Sequence, residues 1–238
     1  MGTNQELSDS GRKDKQGDAA GQRVTLVVSA PSGTGKTTIC RDLVERDPEL
    51  VFSVSHTTRQ ERGSEVNGVD YHFVSKETFQ EMVDQGAFLE HAEYRGNCYG
   101  TSHAAIDQAM SDGFDVLLEI EVEGARQVRE ALPEAASIFI LPPSLEELER
   151  RLRGRQTDAE DVIQSRLDIA GTELRSAPEY RFAVINDELD QAIADVMELV
   201  KLIRNGEWER ADEGFGCERL LAANPDLVGR VGLSNGSL

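Results

Sequence analysis

Cysteine is scarce in this chain of 238 residues, and Cys40, Cys98 and Cys217 stand too far apart to suggest a disulfide framework or a metal-ligand spacing. Free thiols in a reducing cytoplasm are the expected state. Lysine is also sparse, at Lys13, Lys15, Lys36, Lys76 and Lys201. No stretch approaches the roughly 18 apolar residues of a spanning helix, and the polar N-terminus lacks the apolar core of a signal peptide, so no membrane segment is expected. Residues 1–22 carry almost no large apolar side chain that burial could use to offset their ordering entropy, and read as a disordered arm. No internal repeat is visible.

Positive charge is in deficit overall. Basic residues number 25 against 44 acidic ones, for a net charge of −19. A field of that sign repels polyanions and excludes nucleic acid as the expected partner. An anionic substrate must therefore be held by a local cluster of arginines working against the global charge. The carboxylate excess also suggests adaptation to high salt, where ions screen the mutual repulsion; an ordinary acidic cytosolic protein is the alternative.

From Arg23 onward, apolar strands alternate with helical segments, the pattern of an α/β layered fold with a mostly parallel central sheet. Strands are expected at Val24–Ser29, Val51–Ser55, Val116–Glu121, Ile138–Leu141 and Phe182–Ile185. Helices are expected near Lys36–Asp47, Lys76–Gln85, His103–Met110, Val122–Ala131, Leu145–Arg153, Ala159–Ser176 and Leu189–Asn205. Ile193, Val196, Met197, Val200 and Ile203 recur at helical spacing and read as core. After Trp208 the pattern breaks. The tail to Leu238 has two short apolar groups, Leu220-Leu221 and Leu227-Val228, compatible with a docked short helix or a flexible end.

Residues Ser29–Thr38 read SAPSGTGKTT directly after the apolar run Val24, Leu26, Val27 and Val28. This is the strand, phosphate-cradling loop and helix start of a P-loop nucleotide-binding fold. Gly33 and Gly35 let successive backbone N–H groups turn toward phosphate oxygens, and the positive helix end adds to the attraction. Lys36 would reach the β- and γ-phosphates, and the Thr37 hydroxyl would ligate Mg²⁺. Ala30 occupies the position where the general pattern has its first glycine. The buried strand ending in Glu119 and Glu121 is where P-loop proteins place the acid that organises Mg²⁺ and its waters.

A second cluster follows. VFSVSHTTRQERGSEVNGVDYHFV at 51–74 puts Arg59, Arg62 and Tyr71 in a loop-rich region, and two arginines with a phenol suit a dianionic phosphate. Alone, such a cluster would read as a solvated loop. A phosphoryl-donor site just upstream makes it the acceptor site.

Across Arg23–Trp208 the chain resembles the guanylate kinase family. The resemblance is carried by SAPSGTGKTT, VSHTTR with Arg62 following, the Gly68-Val69-Asp70-Tyr71 turn, FLEHAEYRGNCYGTS at 88–102, LPPSLEELERRLRGR at 141–155, and Val184-Ile185-Asn186-Asp187. It implies a P-loop NTPase three-layer fold with a GMP-binding insertion at about 55–102 and a helical lid at about 148–170, inside a domain spanning 23–208. It also implies transfer of the γ-phosphoryl of MgATP to GMP or dGMP, in the cytoplasm, by a monomer or small homo-oligomer.

By the same resemblance, Ser32, Gly33, Thr34, Gly35, Lys36, Thr37, Thr38, Arg151 and Asn186 bind ATP. Arg59, Arg62, Tyr71 and Tyr99 hold the GMP phosphate, with Thr101 near the base and Glu119 and Glu121 also on the GMP side. Guanine presents an O6 acceptor beside N1–H and N2–H₂ donors, so Ser55 suits the first and Glu90 the other two; adenine would leave Glu90 facing an acceptor. Lys36, Arg62, Arg155 and Arg166 would neutralise the transferring group, while Arg150 and Arg153 read as partners of neighbouring glutamates. The family usually has Asp where this chain has Glu119 and Glu121. Three rival readings are a guanylate-kinase-like phosphopeptide-binding module, a kinase for another phosphorylated small molecule, and a P-loop ATPase or regulator with no acceptor.

Overall fold

The computed structural model describes residues 23–94, 96–154 and 160–229. The expected arm at 1–22, the lid residue Arg155 and the last nine residues of the tail lie outside them.

Among the described residues, nine strands run β1 (Thr25–Ser29), β2 (Leu50–Phe52), β3 (His56–Thr57), β4 (His72–Phe73), β5 (Phe88–Tyr94), β6 (Asn97–Ser102), β7 (Asp115–Glu119), β8 (Ala136–Leu141) and β9 (Phe182–Ile185). Five of them form a parallel sheet in the order β2-β7-β1-β8-β9. Parallel strands need helical crossovers on both faces, which is why β1 reads as an unbroken apolar run. Leu26 and Val28 face one core and Val27 the other.

The first face is covered by α1 (Lys36–Arg46) and, later in the chain, by the amphipathic helix at Leu189–Arg204, whose Ile193, Val196, Val200 and Ile203 are buried as their spacing predicts. Between these two helices in sequence come α2 (Lys76–Asp84), α3 (His103–Ser111), α4 (Val122–Ala131), α5 (Leu145–Arg153) and α6 (Glu160–Leu174), so the Leu189–Arg204 helix is α7. Ile106 of α3, Ala125 and Val128 of α4, Leu148 and Leu152 of α5 and Ala170 of α6 pack on the second face.

Two findings depart from the expected elements. The strand foreseen at Val51–Ser55 ends at Phe52, and the chain then leaves the parallel sheet for a second one, ordered β4-β3-β6-β5. The β5–β6 hairpin at its edge is antiparallel, and its charged alternating residues hid it from an apolar-run criterion. The tail is helical and docked through residue 229, as α8 (Trp208–Phe215), α9 (Cys217–Ala223) and α10 (Pro225–Gly229). The Cys217 N–H donates to the Arg181 carbonyl at 2.9 Å beside β9, and Cys217 is buried. That backbone bond occupies the outer edge of the parallel sheet, which strand edges otherwise leave open.

Candidate active site

The loop between β1 and α1 is shaped by local bonds. Thr34, fully buried, donates both its N–H (3.2 Å) and its hydroxyl (2.7 Å) to the Pro31 carbonyl. Gly33 and Gly35 sit at φ 91° and 94°. A Cβ at Gly33 would lie 2.7 Å from Leu152, and one at Gly35 would lie 2.7 Å from the Asn186 amide, so packing and backbone conformation both demand glycine there. Gly35 supplies no side-chain cap and the first turn of α1 has no acid. The orphan amides of Lys36, Thr37 and Thr38 are therefore left for an anion.

Lys36 Nζ donates to the Ile120 carbonyl and to the Glu121 carboxylate, each at 3.1 Å. The Thr37 hydroxyl donates to Glu119. Glu119, the last residue of β7, and Glu121, which precedes α4, thus both reach the P-loop. Thr37 and Glu119 offer hard oxygen donors side by side, which suits an ion that keeps most of its waters and takes the rest of its shell from substrate phosphates. Among the described residues no cluster of three or more His, Cys, Asp or Glu forms an all-protein metal cage.

Two contacts on this loop had no sequence signal. Glu173, on α6, accepts from the Ser32 N–H at 3.1 Å, and burial pushes its carboxyl above the ordinary range. Asn186 is buried with its amide donating to the Thr34 carbonyl at 2.7 Å, so it braces the phosphate loop to which the resemblance assigns ATP. Arg151 is held likewise: its guanidinium donates to Glu147 at 2.7 Å and to the Asn186 and Asp187 carbonyls at 2.9 and 3.1 Å. Together with Leu148 and Leu152 against Gly33, this clips α5 to the phosphate loop.

Elsewhere on α5, Arg150 pairs with Glu147 and Arg153 with Glu149, as their helical spacing predicts. The two guanidiniums of Arg150 and Arg151 pull the Glu147 carboxyl down to about 2. Arg166 is half-buried on α6, two turns before Glu173 on the same helical face.

The acceptor cluster lines two adjoining cavities of about 420 and 260 Å³, which share Ser55, Tyr71, Tyr99 and Glu119. The larger carries Arg59 and Arg62. Arg59, only 8 % exposed, forms a bidentate pair with Glu65 at 2.8 and 2.9 Å and lies 5.3 Å from the Tyr71 ring centre. Glu65 also accepts from the Arg62 N–H at 2.8 Å, so one carboxylate sets both halves of the clamp. Glu65 carried no recognisable signal by itself in an acid-rich loop. Tyr71 and Tyr99 meet edge to face at 6.1 Å, and burial raises the Tyr71 hydroxyl's pKa.

The smaller cavity is lined by Glu90, Glu121 and Gly124. Glu90 is 4 % exposed and burial pushes its carboxyl above the ordinary range, with Thr101 hydrogen bonding partly opposing the shift. Thr101 also shares a 3.1 Å hydroxyl contact with Ser55. Gly124, in the first turn of α4, makes room: a Cβ there would stand 2.6 Å from the Glu90 carboxylate. A glycine in a helix gave no such hint in sequence.

Known proteins bear on this geometry. A guanylate kinase family model matches residues 22–202. The guanylate kinase of Neisseria gonorrhoeae is 51% identical over 179 residues, which is 75% of this chain and 87% of that one. That of Chromobacterium violaceum is 48% identical over 206 residues, 87% of this chain and 93% of that one. The crystal structure of guanylate kinase from Anaplasma phagocytophilum superposes with a TM-score of 0.62 at 31% identity, covering 77% of this chain and 87% of that one.

Proposed function

This chain belongs to the guanylate kinase family, and we propose that its two-ended cleft performs the family's reaction: in-line transfer of the γ-phosphoryl of ATP to the phosphate of GMP or dGMP, yielding ADP and GDP or dGDP. One observation carries the assignment of residues. Two adjoining cavities, one carrying Glu90 and the other Arg59 and Arg62, share Ser55, Tyr71, Tyr99 and Glu119, and Glu119 is bonded to Thr37 of the phosphate loop while Ser55 contacts the buried Thr101 hydroxyl.

At the base end, the ionised Glu90 accepts from guanine N1–H and N2–H₂, and a hydroxyl of the Ser55–Thr101 pair faces O6. The acceptor's phosphate enters the arginine end. A phosphate oxygen is already nucleophilic, so no covalent enzyme intermediate is needed and catalysis rests on positioning and charge neutralisation. Lys36 swings from Glu121 to the β- and γ-phosphates, Arg62 meets the acceptor phosphate, and Arg155 and Arg166 approach from the lid. Thr37 and Glu119 are the residues that would hold Mg²⁺, which when bound offsets negative charge on the donor phosphates. Lid closure excludes water and so suppresses hydrolysis of ATP.

The retained Lys36 and Thr37, with their carboxylate partners in place, favour a kinase over a phosphopeptide-binding module. The reading extends to a cytoplasmic enzyme acting as a monomer or small homo-oligomer in purine nucleotide metabolism. It also includes salt adaptation, carried by the net charge of −19. The test is ADP formation with GMP, dGMP, AMP, UMP and ribose phosphates offered separately at low and molar KCl. Turnover confined to GMP and dGMP, rising with salt, is expected. Turnover of AMP or ribose phosphate in their place would overturn the base assignment, and turnover and urea stability that fall with added KCl would overturn the salt reading.

A further inference from the structure

Among the described residues, the arginines are almost all committed. In an excess of carboxylates, Arg46 takes Asp42, Arg126 takes Glu123 and Glu130, Arg181 takes Asp212, and Arg204 takes Asp47 and Asp115. Among the described residues, only the guanidiniums of Arg41 and Arg62 make neither a hydrogen bond nor an ion pair. Both line the same cavity. Glu45 stands one turn along α1 from Arg41, in the weaker base-before-acid order, and the two do not pair.

Helix geometry explains where Arg41 reaches. It follows Thr37 by four residues and so lies on the same face of α1, one turn below the hydroxyl bonded to Glu119. Ser53, whose buried hydroxyl oxygen has no partner, lines the same cavity. Arg59, across the cavity, already has its charge matched by Glu65. A dianionic phosphate arriving there thus meets two uncommitted guanidiniums, Arg62 from the acceptor loop and Arg41 from the phosphate-loop helix.

We propose that Arg41 is a phosphate-binding residue of the acceptor site, a third arginine entering the cleft from the helix that carries Lys36 and Thr37. The inference rests on the reading of this cleft as the GMP site. Arg41 ties the acceptor phosphate to the element that holds the donor, and so sets the distance between the two reacting groups.

The test measures GMP and guanosine affinity by calorimetry for the full chain and for Arg41→Gln and Arg41→Lys, with steady-state kinetics beside it. Arg41→Gln is expected to weaken GMP about tenfold, the loss of one charge-assisted contact. Guanosine affinity and the KM for ATP should stay unchanged, and Arg41→Lys should recover part of the loss. Because Arg41 is exposed, the thermal midpoint should not move. Unaltered GMP affinity in Arg41→Gln, or an equal loss for GMP and guanosine, would overturn the inference. Failure of the unsubstituted chain to bind GMP would instead overturn the reading of the cleft.

Discussion

The donor loop and the acceptor cleft are built on opposite plans. The polar side chains of the loop already have protein partners, Thr34 on Pro31, Lys36 on Glu121 and Thr37 on Glu119, and the Ser32 N–H is held by Glu173, while the amides that open α1 stay free. The cleft keeps Arg41 and Arg62 uncommitted and gathers its walls from β2, the loops around β3, the β5–β6 hairpin, β7 and α4. The loop is a short local device that exchanges its internal partners for phosphate oxygens. The cleft is a long-range assembly whose selectivity depends on elements far apart in sequence keeping their spacing. Damage to the loop should therefore act on turnover, and damage to the cleft on acceptor affinity.

The largest expected effect lies in the loop. Lys36→Ala should lower kcat by about a thousandfold, since a fixed cation aimed at developing charge is lost, while the thermal midpoint stays near that of the unsubstituted chain. Steady-state rates with melting curves decide it, and near-normal turnover would end the donor assignment.

In the cleft, Glu90→Gln should raise the KM for GMP roughly a hundredfold with a smaller change in kcat, because an amide cannot accept from both guanine donors without misplacing its own NH₂. Glu90 also predicts a pH dependence. Its folded pKa stands above the unfolded value, so the native state is favoured most while the carboxyl is protonated. That contribution is lost as pH rises through the raised value. Guanine needs the ionised form, so GMP affinity should fall on acidification at a pH above the ordinary glutamate range, with proton release on binding near that pH. The Gln variant should show a flat profile; an equally steep one would assign the titration elsewhere.

Gly124→Ala is a sharper probe of the same wall. The added methyl would crowd the Glu90 carboxylate and should weaken GMP about tenfold with ATP unaffected. Equal effects on both nucleotides would mean α4 moves as a whole. The smallest effect is expected at Glu173→Gln, which removes a negative charge from the phosphate loop but keeps an acceptor for Ser32. The KM for ATP should fall by about twofold to threefold, with GMP unchanged, in parallel titrations.

Legibility in the sequence follows the same division. SAPSGTGKTT after an apolar strand names its own geometry, because a tight phosphate loop requires glycine at φ values that other residues resist. Arg59, Arg62 and Tyr71 could be found as a cluster, and Glu90, Tyr99 and Thr101 through the family motif around them. Glu65, Gly124, Arg41 and Glu173 could not. Each is an ordinary residue of its local segment, and each acquires its role from a neighbour distant along the chain or from the cavity it faces. Asn186 shows the reverse: its motif was recognisable, yet its amide turns inward to the loop backbone.

By itself the sequence determined the parallel sheet, the helices that cover it, the phosphate loop and the residue types of both sites, since periodicity and glycine placement are local constraints on a backbone. Tertiary structure alone decided which charges stay free. In a chain with 44 acids, whether an arginine serves a substrate or a neighbouring carboxylate depends on the three-dimensional distance between them, and no spacing along the chain records it.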